Sequence, residues 1–370
     1  MNSNTNSDGN LKIFSPLDSN ITIHGRTLLT EPLPLFWTAS GVEFYTDASI
    51  LAFDFETNFE TREPWIRVEV DGASVLRMPL SKGTQRIFIW REMFSRTKHH
   101  VRLFKETQPM QRDPLSLLCL CSIVCNGNIY PVSPRPYRLE FIGDSISSGE
   151  GLAGSPLTKD GVSMVFSTYK HYALQTANAL NADFRILSQS GWGLLAGWDN
   201  DRDKTMPPHY DKICSLIPGD KAASLGAQSM HDFSSWKPDI IIIHLGYNDG
   251  FALNEPAFSD GFQLIKTVYG LPDAHTSSLF IQTGVSFLRC LRQKNPSAQL
   301  VWTYGMFGNN MEGCIQETIK QYQKVFGDTV LYVPLPDTPP SQIASNNHPG
   351  PKSHTIVADC LTSALQPLLL

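Results

Sequence analysis

Four short stretches of this sequence carry residues that together could perform acyl transfer. In chain order, they hold Ser145 (in the Gly-Asp-Ser run 143–145), Gly191, Asn248 and His348. A histidine can take the proton of a serine, whose oxygen then attacks a carbonyl carbon, while N–H donors hold the oxyanion that forms. We predict Ser145 as nucleophile and His348 as general base. The predicted oxyanion donors are the backbone N–H groups of Ser145 and Gly191 and the side-chain amide of Asn248.

Each stretch taken alone is also compatible with an ordinary tight turn, because glycine, asparagine and aspartate favour turns wherever they occur. Their order and their positions relative to the apolar segments favour the catalytic interpretation. Three stretches follow segments typical of buried strands, and the fourth precedes the last helical pattern. The predicted strands are 138–142, 184–187, 240–245, 300–304 and 330–333, and the predicted helices are 166–181, 278–293, 314–325 and 355–369.

Strands that alternate with helices predict a parallel sheet covered by helices on both faces. Ligands of such sheets bind beyond the carboxyl ends of the strands. Since the carboxyl ends of parallel strands lie at one edge of the sheet, we expect Ser145, Gly191 and Asn248 to lie near one another there, with His348 on a loop rigidified by proline and glycine.

The first third of the chain has a different pattern, with short alternating runs broken by turn residues. Residues 65–70 alternate with period two, Asp71-Gly72 follow, and residues 73–78 form a second strand-like run. This is the signature of a hairpin with a two-residue turn. We therefore predict four segments: a polar tail at 1–10, an all-β sandwich at 11–130, a Pro-rich linker at 131–136, and an α/β domain at 137–370.

Composition excludes several classes of protein. The chain has 370 residues, of which 41% are hydrophobic, and a net charge of -5. This is enough apolar sequence for two folded domains, and the absence of a basic block argues against nucleic acid as a partner. The apolar run at 116–125 is too short to span a bilayer, so no membrane association is predicted.

The cysteines and the first residues bear on cofactors and location. The seven cysteines are scattered and form no CxxC pair, so neither a metal site nor another cofactor is predicted. Residues 1–10 have no apolar core of the kind a signal peptide needs. The sequence as given is therefore expected to be cytoplasmic, or secreted if an export signal has been removed.

Residues 137–370 resemble the SGNH (GDSL-like) hydrolases. The first domain resembles the N-terminal jelly roll of carbohydrate esterase family 2, and the opening block 141–151 is similar to that family's as well. The matching segments are Gly143-Asp144-Ser145, Gly191, Gly246-Tyr247-Asn248-Asp249 and His348-Pro349 in the second domain, and 25–26, 36–41, 70–72, 100–103 and 105–107 in the first.

The resemblance implies a three-layer α/β/α SGNH domain preceded by an all-β jelly roll. It also implies a serine esterase that removes O-acetyl groups from acetylated xylan, mannan or oligosaccharide through an acyl-enzyme, with no metal. Two other functions are compatible with the sequence. One is a glycan-binding protein with an inactive hydrolase domain, and the other is an SGNH esterase or lipase that acts on lipid or small aryl esters.

Two positions depart from the resembled families. Many SGNH enzymes have an aspartate three residues before the histidine, where this chain has Ser345. The resemblance implies that a backbone carbonyl can orient the histidine instead, and Asp337 is the alternative orienting residue. Family 2 often has a tryptophan just before the histidine, where this chain has Asn347. Trp192 is a candidate to stack on the sugar in its place, or else a lid or packing residue.

Overall fold

The computed structural model describes residues 11–93 and 97–369, and the chain forms two compact units. The first runs to Pro134 and includes Ile213–Ser229, and the second comprises Arg135–Lys212 and the chain from Met230 onward. The predicted tail at 1–10 lies outside the described residues.

The strands are β1 (Lys12–Phe14), β2 (Thr22–His24), β3 (Leu33–Pro34), β4 (Gly41–Thr46), β5 (Leu51–Asn58), β6 (Trp65–Val70), β7 (Ala73–Pro79), β8 (Gly83–Trp90), β9 (His99–Lys105), β10 (Leu117–Cys125), β11 (Ile129–Tyr130), β12 (Tyr137–Gly143), β13 (Ala182–Ser188), β14 (Ile240–His244), β15 (Gln299–Tyr304) and β16 (Val330–Pro334). The α-helices are α1 (Tyr172–Ala179), α2 (Asp220–Ser224), α3 (Tyr247–Ala252), α4 (Ala274–Lys294), α5 (Glu312–Phe326) and α6 (Pro351–Leu365).

The first unit is an antiparallel sandwich. One sheet has the order β1-β10-β5-β8 with β3 beside β10, and the other has the order β11-β4-β9-β6-β7 with β2 beside β4. Inward-facing apolar side chains of both sheets form one core, in which Phe44, Phe53 and Leu103 are buried. The predicted hairpin is present, since β6 and β7 pair antiparallel. Its turn residues Asp71 and Gly72 both have positive φ, 52° and 82°, as a two-residue turn of this type requires.

The second unit contains a parallel sheet with the order β13-β12-β14-β15-β16. Its central strand β14 is buried along its whole length, as expected for a strand covered on both faces. The chain moves from β12 to β13 in one direction and then from β14 to β16 in the other. Right-handed crossovers therefore place α1 on one face and α4 and α5 on the other. Helix α6 packs against α1, and the predicted α/β/α architecture is confirmed.

The reversal of strand order determines where a ligand can bind. Strands β13 and β14 both pair with β12, so the connections leave β12 on its two sides. A crevice opens beyond the carboxyl ends of the strands at such a reversal. Gly143 at the end of β12 pairs with Ser188 of β13 and His244 of β14, so the three strands end level with one another.

Two boundaries differ from the sequence-based prediction. Residues 213–229, predicted to belong to the second domain, pack within the first unit, where the indole N–H of Trp37 donates to the Ile213 carbonyl at 2.7 Å. The helix predicted from residue 166 begins only at Tyr172, because Phe166 instead forms an antiparallel bridge with Glu150. None of the described helices combines the length and apolar composition needed to cross a membrane.

Candidate active site

The serine stretch is a tight turn directly after β12. Asp144 accepts a hydrogen bond from the Ile146 N–H at 3.1 Å, and the Asp144 carbonyl accepts one from Ser148 at 2.9 Å. A side chain at Gly143 would place its Cβ 2.1 Å from Ser147 Oγ, so only glycine fits there. The turn thus holds Ser145 beyond the sheet edge on a backbone with little freedom to move.

Ser145 opens into a pocket of about 570 Å³ that lies wholly within the second unit. The pocket is lined by Asp144, Ser145, Glu150, Ser190, Gly191, Trp198, Tyr247, Asn248, Phe251, Asn254, Glu255, Phe307, Asn346, Asn347 and His348. The structure therefore brings together the four residues predicted to do chemistry: Ser145, Gly191, Asn248 and His348. Among the described residues, no hydrogen bond yet joins the Ser145 hydroxyl to the imidazole, a contact that often tightens only when substrate binds.

The loop before α6 holds the histidine. Asn346 and Asn347 both adopt left-handed conformations, with φ of 49° and 57°, which asparagine tolerates better than most residues. In this conformation the Asn346 carbonyl lies 2.6 Å from Nδ1 of His348. A carbonyl can only accept, so Nδ1 carries the proton and Nε2 remains an acceptor, which is the tautomer a general base needs.

Close packing keeps this loop against the serine turn. Gly151 has φ of +89°, and a Cβ there would lie 2.4 Å from Cβ of His348. Any side chain at 151 would therefore push the histidine loop away from the turn that carries Ser145.

The structure does not place an acidic side chain against Nδ1. Asp337, predicted as a possible orienting residue, accepts a hydrogen bond from the Gly308 N–H at 2.9 Å instead, so that part of the prediction is wrong. Ser345, at the position of the family aspartate, is buried and donates its hydroxyl to the Ala153 carbonyl. Orientation of the imidazole is therefore left to the Asn346 carbonyl, the other option that the resemblance implied.

The groups predicted to hold an oxyanion retain N–H donors that are free or only weakly engaged. In residues 11–93 and 97–369, neither the Ser145 N–H nor the Gly191 N–H donates to a protein acceptor. The side-chain amide of Asn248 donates to the Trp192 carbonyl at 2.8 Å, and its second contact, to Asp144 Oδ2, is long at 3.4 Å. One N–H of this amide is thus only weakly engaged and can turn to a ligand.

A buried carboxylate shapes the loop that carries Gly191. Asp249 is fully buried and accepts hydrogen bonds from three successive backbone N–H groups, those of Leu194, Leu195 and Ala196. Burial raises the pKa of Asp249, while these three hydrogen bonds oppose the rise. The contacts tie the Gly191 loop to the start of α3, which also carries Asn248.

Asp144 has an unusual charge state for a carboxyl group. Its side chain is buried beneath the pocket, and burial raises its pKa from 3.8 to about 8. At neutral pH the group is therefore largely protonated. A neutral Asp144 adds little negative charge beside the position where an oxyanion is expected to form.

The tryptophan that lines the pocket is not the one predicted to stack on the sugar. Trp192 is only 4% exposed and its ring packs 4.8 Å from the ring of His209, so it is the packing residue of the two interpretations. Trp198 is 46% exposed, lines the pocket, and lies over Gly191, where an added Cβ would come within 3.0 Å of its indole.

Glu150 is a residue of the pocket that was not predicted from the sequence. This side chain is 5% exposed and lines the pocket, with Oε2 3.7 Å from Nε2 of His348. It also accepts hydrogen bonds at 2.6 Å from Ser190 and from the side chain of Asn346. The sequence signal was its position between two glycines, Gly149 and Gly151. In the structure both of these glycines have positive φ.

The described residues do not form a metal site. Within the part of the chain that is described, no group of three or more His, Cys, Asp or Glu side chains is arranged to hold a metal ion. The arrangement contains a hydroxyl, an imidazole and N–H donors, and these side chains suffice for acyl transfer to serine.

The chain is similar to several known proteins. No protein-family model matches it. An acetyl xylan esterase from the rumen bacterium Butyrivibrio proteoclasticus has a solved structure that is 38% identical, with 96% of this chain and 97% of that chain covered and a TM-score of 0.93. A family two carbohydrate esterase from Clostridium thermocellum, solved with cellohexaose, is 21% identical with 94% and 98% covered and a TM-score of 0.75.

The chain belongs to carbohydrate esterase family 2. A curated relative, an acetylxylan esterase / glucomannan deacetylase of Cellvibrio japonicus, is 23% identical over 360 residues, or 95% of this esterase and 90% of the relative. Both units of the family 2 esterase therefore lie within the matched regions, and the predicted SGNH domain with a preceding jelly roll is confirmed.

Proposed function

We propose that this esterase removes O-acetyl groups from acetylated xylan, mannan or their oligosaccharides, with Ser145 as the nucleophile and His348 as the base. Two of the relatives named above are acetyl xylan esterases, one of them also described as a glucomannan deacetylase, which supports this substrate class. The observation on which the proposal depends is the convergence of Ser145, Gly191, Asn248 and His348 on one pocket at the switch point of the sheet.

Acylation begins when Nε2 of His348 takes the proton of the Ser145 hydroxyl and Oγ attacks the acetyl carbon. The carbonyl oxygen becomes an oxyanion, held by the N–H groups of Ser145 and Gly191 and by the Asn248 amide. Loss of one such donor typically costs on the order of 10² to 10³ in rate. The intermediate then collapses, and the sugar oxygen leaves with the proton from Nε2.

Deacylation repeats these steps with water. His348 takes a proton from a water molecule, whose oxygen attacks the acetyl carbon on Ser145, and the same donors hold the second oxyanion. Collapse of this intermediate returns the proton to Oγ and releases acetate. The Asn346 carbonyl keeps Nδ1 protonated, so Nε2 is the acceptor at the start of both halves.

The experiment is acetate release from acetylated xylan, acetylated glucomannan and an aryl acetate, measured side by side. We expect wild type to release acetate from the glycans, and Ser145→Ala to lose about 10⁴-fold or more in kcat. Ser297→Ala, at an exposed serine far along the chain, is the matched control and should be unchanged.

Three outcomes would contradict the proposal. Hydrolysis retained by folded Ser145→Ala would show that another group is the nucleophile. Glycan binding by wild type without acetate release would favour a binding protein with an inactive hydrolase domain. Turnover of aryl or lipid esters alone would move the substrate away from carbohydrate.

A further inference from the structure

We propose that Glu150 is a positioning residue that performs two functions of the aspartate of a Ser-His-Asp triad, an aspartate that this chain lacks. In the fastening role, it accepts a hydrogen bond from Asn346, whose carbonyl orients His348. In the charge role, it places a negative charge near the imidazolium that forms during catalysis. The inference rests on the proposed roles of Ser145 and His348.

The fastening role follows from the contacts of one carboxylate oxygen. Oε1 of Glu150 accepts a hydrogen bond from the side-chain amide of Asn346 at 2.6 Å. The backbone of Asn346 is left-handed, and its carbonyl is the group that lies 2.6 Å from Nδ1 of His348. The glutamate therefore holds the residue whose backbone holds the histidine. A change in the backbone conformation of Asn346 would turn its carbonyl away from Nδ1, and the imidazole could then change tautomer.

The charge role follows from the other oxygen. Oε2 lies 3.7 Å from Nε2 of His348, which is beyond hydrogen-bond distance. While the ring is neutral, Nε2 presents a lone pair, which a carboxylate does not attract. Once Nε2 takes the serine proton, the ring is positive and the two groups attract. The interaction is therefore stronger in the transition state than in the ground state, so it should raise kcat and leave KM alone.

The separation of 3.7 Å between Oε2 of Glu150 and Nε2 of His348 also leaves the proton on Nε2 available to the leaving sugar oxygen. A carboxylate at hydrogen-bond distance from Nε2 would compete with Ser145 and with the leaving sugar oxygen for that proton. In this site Oε2 instead accepts from the Ser190 hydroxyl at 2.6 Å, next to Gly191. Glu150 thus supplies charge from the side and takes no part in proton transfer.

Glu150 itself is held rigidly and out of water. It is 5% exposed, its N–H donates to the Ser145 carbonyl at 3.0 Å, and it pairs with Phe166 in a short antiparallel bridge. Both carboxylate oxygens accept hydrogen bonds, from Ser190 and Asn346, as an ionised carboxylate would. In a buried site of this kind a fixed charge acts more strongly than in water.

The first test is Glu150→Gln, which keeps the size of the side chain and removes its charge. We expect kcat on an aryl acetate and on acetylated xylan to fall roughly 10- to 100-fold, with KM within about twofold of wild type. Glu150→Asp, which restores the charge, should recover part of the loss. Glu317→Gln, the same change on the exposed face of α5, is the matched control and should match wild type. Thermal unfolding of each variant checks that it is folded.

The second test separates the two roles. Asn346→Gly removes the amide that Glu150 holds but keeps a residue that accepts positive φ, so it probes the fastening role alone. We expect a smaller fall in kcat than for Glu150→Gln, and a further fall when the two changes are combined. A double variant no worse than Asn346→Gly alone would overturn the charge role.

Other outcomes would overturn the whole inference. Unchanged kcat in folded Glu150→Gln, with Ser145→Ala inactive, would exclude Glu150 while leaving the proposed function intact. A rise of KM at constant kcat would make Glu150 a substrate-binding group. Failure of Ser145→Ala to lose activity would instead contradict the proposed function itself, so the two failures are distinguishable.

Discussion

The pocket has two unlike sides. On one side Ser145, Glu150 and Asn248 are each less than a tenth exposed and are surrounded by buried hydrogen bonds. On the other side Trp198 and Phe251 are nearly half exposed. The first side is fixed before any substrate arrives, as electrostatic catalysis requires. The second presents flat apolar faces to solvent, which suits contact with a sugar ring.

The two sides are also held by different interactions. The polar side is fixed by carboxylates and backbone groups, whereas Phe251 on the aromatic side is held by a ring contact. Phe307 contacts Phe251 at 5.9 Å between ring centroids and contacts the imidazole of His348 edge-on at 5.7 Å. It thus joins the two sides. Changes on the polar side should lower kcat, and changes on the aromatic side should raise KM.

The largest expected effect on the polar side comes from the histidine. We expect His348→Ala to lower kcat on an aryl acetate on the order of 10⁴-fold or more, because the change removes the proposed general base. Asp337→Ala should stay within about twofold of wild type, since its carboxylate contacts the Gly308 N–H and not the imidazole.

Steady-state kinetics of the two purified variants give the comparison directly. A loss for Asp337→Ala as large as that for His348→Ala would mean that the carboxylate reaches the ring during turnover, and would return the site to a Ser-His-Asp triad. His275→Ala, an exposed histidine on α4, controls for loss of any imidazole.

On the aromatic side we expect Trp198→Ala to raise KM for acetylated xylan roughly tenfold, with kcat within about twofold, because a lost stacking surface weakens binding by about 1.4 kcal/mol. An aryl acetate fills less of the pocket and should be less affected. The control is Trp236→Ala, which should leave KM unchanged. Trp236 is also part-exposed, and its indole N–H donates a hydrogen bond to Asp183. A fall in kcat at constant KM for Trp198→Ala would erase the difference between the two sides.

The sequence predicted the polar side better than the aromatic side, and the reason is physical. Strand ends follow from apolar runs, and the residues just after them are forced to the same edge of the sheet. The predicted strand 240–245, for example, is observed at Ile240–His244, and Asn248 follows it. Ser145 and Asn248 could therefore be placed near each other from the pattern alone.

What orients His348 could not be read from residue types. The group is a backbone carbonyl, which every residue has, and its direction depends on the left-handed conformation of Asn346. Residue types alone therefore favour Asp337 and give no sign of Glu150, which contacts the loop from a different part of the chain.

The tryptophan was missed for a similar reason. Trp192 and Trp198 are six residues apart in one loop, and the path of the loop decides which of them faces the pocket. That path is set by distant contacts, among them Asp249 with three backbone N–H groups and buried Asn200 with the Ala252 carbonyl. No local pattern encodes these contacts. The same holds for residues 213–229, which pack in the first unit.

The smallest expected effect concerns His244, which lies below the polar side, and should appear in the free energy of unfolding. His244 is fully buried below the pocket, and burial lowers its pKa to about 3. Tyr247, which lines the pocket, accepts N–H hydrogen bonds from Gly305 and Met306, so its hydroxyl proton is donated to Nε2 of His244 at 3.0 Å. Protonating the ring would place two donors face to face.

The sign of the pH dependence follows from these pKa values. Between pH 6.5 and about 3 the unfolded chain binds a proton at residue 244 that the folded chain does not. The free energy of unfolding therefore falls as pH falls, by about 1.4 kcal/mol per pH unit for this group. Asp144 acts in the opposite direction between about pH 8 and 3.8, because its raised pKa makes the folded state the one that holds the proton there.

Only the difference between two proteins isolates His244. We expect His244→Gln, which can still accept from Tyr247, to lose stability less steeply than wild type between pH 7 and 4.5 in chemical denaturation. His275→Gln should follow the wild-type slope, since that side chain is exposed. Identical slopes for wild type and His244→Gln would mean that the ring gains a proton without cost in the folded protein, and that the polar side does not depend on a neutral histidine beneath Tyr247.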